Sequence, residues 1–187
     1  MILEIERHPT PLGEVTIAWR GGRVCSMAFS DRWASAERAL ARRLGSIELV
    51  AARRPAALAT RLDAYFTGEL TAIDDVDVAP SGTDFQRAVW SALRCIPVGR
   101  TTTYGALARQ IGAPSAVRAV GAANGANPIW LVIPCHRAIG ADGSLTGYGG
   151  GLERKRWLLE HEGALEKNPP RRRGGTEPER PLQRALF

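Results

Sequence analysis

Thr103-Tyr104-Gly105-Ala106-Leu107-Ala108-Arg109-Gln110-Ile111-Gly112-Ala113-Pro114-Ser115-Ala116-Val117-Arg118-Ala119-Val120-Gly121-Ala122-Ala123 reads as two short helices joined by a tight turn. Thr103 suits the N-cap of the first helix, Tyr104 to Ile111, because its hydroxyl can accept an amide that the helix leaves unpaired. Gly112 closes that helix. Gly112-Ala113-Pro114 makes the turn, and Pro114 stands in the first turn of the next helix, where a missing N–H costs nothing. This is the pattern of a helix-turn-helix, although two ordinary packed helices make it as well. The composition of the second helix is more telling. Ala116, Ala119, Val120 and Ala123 form a narrow apolar seam, while Gly121, Gly125 and several alanines leave the other faces nearly bare. Such a helix can approach another surface closely, and Arg118 is its only long side chain.

Outward from this pair, Phe85, Val89, Leu93 and Ile96 mark a preceding helix, ended by Pro97 and Gly99. Downstream, Trp130-Leu131-Val132-Ile133 is expected to be a buried strand leading into Pro134-Cys135-His136-Arg137. Six of the twelve residues from Gly140 to Gly151 are glycine, which indicates a loop with unusual dihedrals or close backbone approach. Leu152 to His161 reads as a last helix capped by Gly163. The first part of the chain is different in kind. Leu3 to Ile5, Val15 to Trp19 and Val24 to Phe29 are β-type runs with turns at Pro11-Leu12-Gly13 and Gly21-Gly22. Two amphipathic helices follow, one on Trp33, Ala36, Leu40 and Leu44, the other on Leu58, Leu62 and Phe66 with Gly68 beyond its end. An acidic stretch from Thr71 to Gly82 looks like a connection. The expected organisation is an α/β domain over 1–80, a mostly helical domain over 81–163, and a disordered basic tail over 164–187.

A chain of 187 residues can bury one core or two small ones, and 44% apolar with 24% charged residues suits a globular protein in water. No apolar run approaches the roughly 20 residues needed to span a bilayer. Met1-Ile2-Leu3-Glu4-Ile5-Glu6 lacks the pattern of a signal peptide, so a cytoplasmic location and no membrane partner are expected. The three cysteines, Cys25, Cys95 and Cys135, suit no disulfide framework, and no Cys-x-x-Cys occurs. With His8, His136 and His161 the only histidines, no metal site and no cofactor are expected. The net charge of +6 and pI near 9.9 suit an anionic partner such as nucleic acid. The tail from Ala164 carries six Lys/Arg against three Asp/Glu, half of that net charge, so basicity alone argues weakly for DNA.

Cys135 is the candidate nucleophile. A thiol attacks as its thiolate and needs a base or a positive charge nearby. His136 is adjacent, but neighbouring side chains on a strand point to opposite faces. A Cys-His pair therefore requires the chain to turn here, or a water to bridge. Taken alone, these residues leave open a working nucleophile, with a Cys-His hydrolase as the enzymatic rival, and a buried structural cysteine.

The order and spacing of short motifs from Gly82 to Gly163 resemble the O6-alkylguanine-DNA alkyltransferases, also called methylated-DNA–protein-cysteine methyltransferases. The motifs are Gly-Thr-Asp-Phe-Gln (82–86), Val-Trp (89–90), Ile-Pro-Val-Gly-Arg-Thr (96–101), Tyr-Gly-Ala-Leu-Ala (104–108) and Arg-Ala-Val-Gly (118–121). They continue with Ala-Asn-Gly-Ala-Asn-Pro-Ile (123–129), Ile-Pro-Cys-His-Arg (133–137), Leu-Thr-Gly-Tyr (145–148), Gly-Gly-Leu-Glu-Arg-Lys (150–155) and His-Glu-Gly (161–163). The first 80 residues match only in general character.

The resemblance implies an α+β fold: a small ribonuclease H-like α/β domain followed by a mostly helical domain with a helix-turn-helix. It implies single-use transfer of an alkyl group from O6-alkylguanine, and O4-alkylthymine in some cases, to Cys135. His136 would activate Cys135 through a water, Glu162 would orient His136, Asn127 would brace the turn, and Tyr104 would protonate the leaving base. DNA would be held through the minor groove by Arg118, Ala119, Gly121, Ala122, Asn124, Thr103 and Arg137, with Arg118 filling the gap left by the extruded nucleotide. Trp130, Pro134, Ala138, Tyr148, Gly149 and Gly150 would line the base pocket of a monomer. The rival reading within this resemblance is a lesion-sensing alkyltransferase-like protein, but those have lost the acceptor cysteine. Relatives with an added regulatory role carry a cysteine-rich zinc region that this sequence lacks. Three positions depart from the family's pattern: Ala113 where a polar cap of the recognition helix is expected, Ala138 in place of valine, and Trp130 in place of a smaller residue. Trp130 is expected to narrow the pocket in favour of methyl groups.

Overall fold

The computed structural model describes residues 1–52 and 56–166, so most of the tail expected to be disordered lies outside the described residues. The alternating apolar runs near the start form β1 (Ile2–His8), β2 (Val15–Arg20) and β3 (Arg23–Phe29), paired antiparallel in succession. Gly21 and Gly22 both have positive φ, 55° and 77°, as a two-residue hairpin that matches strand twist requires. The helix α1 (Trp33–Leu44) follows, then β4 (Glu48–Ala51), which pairs parallel to β1 and gives the sheet order β3-β2-β1-β4. β4 was not foreseen, because it is short and mostly exposed and carries no clear apolar alternation. The second amphipathic run is α2 (Ala56–Thr67).

Both faces of the central strand β2 are covered. Val15, Ile17 and Trp19 point into the main core, while Ala18 joins Leu3, Cys25, Ala28, Trp33 and Leu40 in a smaller cluster under α1. The connection from Thr71 to Gly82 is strapped to the free edge of β3, where Val24 N–H donates to the Asp77 carbonyl at 2.9 Å and Ala79 N–H to the Val24 carbonyl at 2.7 Å. Farther along the same edge, Met27 N–H donates to Pro128 O and Trp130 N–H to Met27 O, both at 2.9 Å. Thus the edge of the sheet holds the backbone just before the Cys135 segment.

The remaining helices are α3 (Asp84–Arg94), α4 (Tyr104–Gln110), α5 (Val117–Gly125) and α6 (Leu152–His161). A parallel pair, β5 (Thr102–Thr103) with β6 (Ala138–Ile139), ties the start of α4 to the exit from the Cys135 segment. Thr103 caps α4 as read, accepting from Ala106 N–H at 3.1 Å. α3 begins with a capping box in which Thr83 and Gln86 satisfy each other's backbone amides. α5 packs on both α3 and α4. Its start differs from the sequence reading: Pro114 and Ser115 lie in a turn closed by Ala116 N–H to the Ala113 carbonyl, so Ala116 is the N-cap and Val117 the first helical residue. Its buried seam is Val120, Ala123 and Asn124, while Ala119 is exposed.

The segment Trp130–Ile133 is not a strand. It is a tight turn in which Val132 N–H donates to Trp130 O and Ile133 N–H to Ile129 O. Leu131 has φ 69°, the only positive φ of a non-glycine residue among those described. Apolar runs of this length do not reveal whether the backbone extends or folds back. One apolar cluster runs from Ile17, Met27 and Phe29 through Trp90 and Leu107 to Ile133, Cys135 and Leu158. Replacing the α3 cap, Thr83→Ala, is expected to lower stability by about 1 kcal/mol in urea unfolding without altering the slope.

Candidate active site

Cys135, His136 and Arg137 occupy a single 3₁₀ turn, closed by Arg137 N–H to the Pro134 carbonyl at 3.0 Å. Cys135 and His136 thus stand in a turn and not on an extended strand, where neighbouring side chains point to opposite faces. All three side chains are buried, His136 completely. Asn127 braces the loop in front of the turn: its amide donates to Ile133 O at 2.8 Å and its carbonyl accepts from Ile129 N–H at 3.0 Å. Pro134 and Ala138 are buried on either side.

Glu162, the residue that ends α6, organises the site. Its Oε1 accepts from Tyr65 Oη at 2.8 Å, His136 Nε2 at 3.0 Å and Arg137 Nη2 at 2.9 Å, and its Oε2 accepts from Arg137 Nε at 2.8 Å. Arg137 Nη1 also donates to Ile96 O at 2.6 Å. Burial opposes ionisation of Glu162, but the hydrogen bonds and charges of His136 and Arg137 outweigh it and bring the carboxyl down to about 2. With its Nε2–H given to a carboxylate, neutral His136 has Nδ1 as an acceptor, and this buried atom has no hydrogen-bond partner among the described residues. Burial holds the His136 pKa below its ordinary value against the pull of Glu162. Burial pushes the Cys135 thiol up to about 11, although an Asn127 hydrogen bond and the Lys155 charge favour the thiolate. Burial thus favours the neutral thiol, and any attack as a thiolate would require removal of its proton.

Lys155 and Tyr65 were missed in the sequence. Lys155, fully buried on α6, donates from Nζ to Ala138 O and Thr146 O, both at 2.6 Å. It joins the strand leaving the acceptor turn to the glycine-rich loop. Burial lowers its pKa to about 8, opposed by the nearby Cys135. A lysine in a basic amphipathic helix reads as a solvated charge, and nothing in the local pattern marks it as buried. Tyr65 lies one residue from the recognised apolar face of α2 and reaches Glu162 across 97 positions of chain.

Tyr104 stands at the first turn of α4, its hydroxyl donating weakly to Thr146 O at 3.4 Å. Tyr148 lies over the site with its hydroxyl buried and without a hydrogen-bond partner among the described residues; burial and the neighbouring Cys135 push its pKa up. Trp130 packs between Phe29 and Tyr148, at centroid distances of 5.9 and 5.7 Å, with its indole N–H on Asn127 O. Gly149 and Gly150 are needed for close approach: a Cβ there would stand 2.5 Å from the Trp130 ring and 2.6 Å from the Tyr148 ring.

The residues read as DNA-binding separate into two groups. Arg118, Ala119 and Ala122 are exposed along α5, with Gly121 half-buried beside them, and Thr103 is half-buried at the cap of α4. Two do not face outward. Arg137 is 2% exposed and committed to Glu162 and Ile96, and Asn124 is 2% exposed on the inner side of α5. Their helical phase and the buried carboxylate turn both inward, so neither is available to DNA. Among the described residues no three His, Cys, Asp or Glu side chains gather as metal ligands, and no helix is long and apolar enough to cross a membrane.

The site thus sets a buried thiol and a carboxylate-held histidine in one turn, in a unit that also exposes a helix of small residues. The family model described as the DNA-binding domain of 6-O-methylguanine DNA methyltransferase matches residues 84–164. A methylated-DNA–protein-cysteine methyltransferase of Mycolicibacterium paratuberculosis is 44% identical over 169 residues, covering 86% of this chain and 93% of that protein. One from Salmonella typhimurium is 58% identical over 118 residues, 63% of this chain and 69% of that protein. The crystal structure of the Mycobacterium tuberculosis O6-methylguanine methyltransferase superposes with a TM-score of 0.73 at 41% identity, covering 87% and 93% of the two chains. A structure of the same organism's protein in complex with DNA gives 0.70 at 43%, covering 88% and 94%. The chain belongs to the methylated-DNA–protein-cysteine methyltransferase family.

The Glu162–His136 pair sets the response to acid. Glu162 has a lowered folded pKa, so its contribution is complete above the ordinary 4.5 and is lost as pH falls from there towards 2. His136 also has a lowered folded pKa, so the unfolded chain gains a proton below about 6.5 that the folded chain resists. Both act in one direction. The unfolding free energy should fall steadily from pH 7 to 5 and more steeply below 4.5, with the steep part reduced in Glu162→Gln; a flat profile over pH 7 to 3 would contradict this assignment.

Proposed function

We propose that the protein repairs double-stranded DNA by moving the alkyl group of O6-alkylguanine onto Cys135 Sγ, once per molecule. The observation that carries this reading is the acceptor turn itself: a buried thiol in the same 3₁₀ turn as a histidine whose Nε2 is held by Glu162 and whose Nδ1 is left as an acceptor. In the reaction the S–H proton passes to His136 Nδ1, with a water as the bridge. Sγ attacks the alkyl carbon, the carbon–O6 bond breaks, and its electron pair remains with the guanine. Tyr104 donates a proton towards N3 as that charge develops. The product is a thioether, and no neighbouring group can cleave it, so the transfer is irreversible.

The O6 edge of a stacked guanine cannot reach a buried thiol, so the nucleotide must leave the duplex first. The exposed face of α5, with Ala119, Gly121 and Ala122, suits close approach to the minor groove, and Arg118, exposed in its first turn, would fill the emptied position. On this reading α4, the 111–116 turn and α5 act as a helix-turn-helix, with α5 as the recognition element. The order β3-β2-β1-β4, antiparallel except for β4, supports a ribonuclease H-like first unit. The protein acts as a monomer without a cofactor, and contacts to the DNA backbone make binding largely independent of sequence.

Incubation with an O6-methylguanine duplex should add one methyl group, about 14 Da, to the intact mass, and Cys135→Ala should abolish the addition. His136→Ala should slow the transfer about 10²- to 10⁴-fold. Tight lesion binding with no change in mass would instead indicate a lesion sensor. Trp130 bears on the choice of alkyl group because it presses on Tyr148. Trp130→Ala should react faster with O6-benzylguanine than the native protein does, with methyl transfer much less affected; equal benzyl rates would remove Trp130 from specificity.

A further inference from the structure

Arg43 lies in the last turn of α1, far in sequence from the acceptor turn. Its Nη2 donates to the Ala126 carbonyl at 2.8 Å, and its guanidinium carbon stands 5.4 Å from the centroid of the Trp90 ring. Ala126 is the residue that ends α5. The contact therefore satisfies a carbonyl that the helix leaves unpaired and places a cation at the negative end of the helix dipole. The buried indole of Trp90 in turn donates to the Ala123 carbonyl at 2.9 Å. One guanidinium thus holds the last turn of α5 directly and supports the indole that holds it a second time.

The next residue after Ala126 is Asn127, which braces the loop entering the Cys135 turn. Arg43 accordingly sits where the exposed DNA-facing helix meets the loop that carries the nucleophile. It is not what keeps α1 in place. Trp33 and Leu40 are buried against the sheet and do that. Arg43 is only half-buried, and its side chain spans the cleft between α1 and residues 125–130.

We infer that Arg43 is a positioning residue for transfer from duplex DNA: it fixes the end of α5 relative to Cys135, so that a nucleotide extruded along α5 arrives in line with Sγ. The inference rests on the alkyl-transfer reading above. Arg43 touches neither the thiol nor the exposed face of α5, so its loss should affect the transfer step more than binding.

The test uses the full chain in native, Arg43→Ala, Arg43→Lys and Arg42→Ala forms. Affinity for an undamaged duplex is read by fluorescence anisotropy, and single-turnover methyl transfer is followed as protein is raised to saturation over an O6-methylguanine duplex. Arg43→Ala should lower the saturating rate constant about tenfold, with affinity for undamaged duplex within about twofold of native and an unchanged circular dichroism spectrum. Arg43→Lys should recover most of the loss, because an ammonium can still reach the Ala126 carbonyl. Arg42→Ala, altering an exposed neighbour, should match the native protein. A saturating rate in Arg43→Ala within about twofold of native would overturn the inference. So would an affinity loss equal to the rate loss, which would make Arg43 a support of the DNA-binding face alone. If the native protein takes up no methyl group, the functional reading itself fails; if it does and Arg43→Ala matches it, only the role of Arg43 fails.

Discussion

The carboxylate of Glu162 is a buried charge, and a buried charge persists only where donors surround it. Here the donors come from two distant parts of the chain, Tyr65 on α2 and His136 with Arg137 in the Cys135 turn, and the carboxylate from a third, the end of α6. The chain must bring all three together or leave a charge stranded in the core. Breaking a buried pair by removing one partner typically costs about 3–5 kcal/mol, whereas forming it adds far less. The network therefore does more to specify one arrangement than to raise stability. It gives His136 its orientation and tautomer, and it makes the α2 helix a structural party to chemistry carried by the other half of the chain.

Around that anchor, the thiol is held in a setting that resists ionisation. Burial raises the Cys135 pKa and lowers that of Lys155, so each disfavours its own charged form while its neighbour pulls the other way. A nucleophile kept neutral at rest is protected from small electrophiles and oxidants. Its reactivity then depends on an event that brings base and substrate together.

The parts of this architecture legible in the sequence were those with local causes. Strands β1 to β3, the Gly21-Gly22 hairpin, the Thr103 cap and the bounds of α6 follow from alternation, turn chemistry and helix ends. Cys135, His136, Glu162 and Asn127 are named together by the family resemblance, and the structure brings all four together. What escaped was set by tertiary contacts. Trp130–Ile133 folds back because β3 and Asn127 hold its ends, not because of its own composition. Arg137 and Asn124 face inward because a carboxylate and two helices wait there. Lys155 and Tyr65 looked like an ordinary surface charge and a packing aromatic. The start of α5 moved by three residues because Pro114 suits a turn as well as it suits a first helical position.

The free edge of β3 is also relevant to how the protein behaves before it is fully folded. An unpaired strand edge is a template on which other chains can add. In this fold that edge is closed twice, at Val24 by the connecting strap and at Met27 by the segment running towards the acceptor turn. The loop that carries the reactive cysteine is thus also a guard against self-association. A change that loosens this segment near Pro128 would free the N–H and carbonyl of Met27 from their partners on that edge. Closure of this edge and the course of the chain into the Cys135 turn then depend on the same few hydrogen bonds.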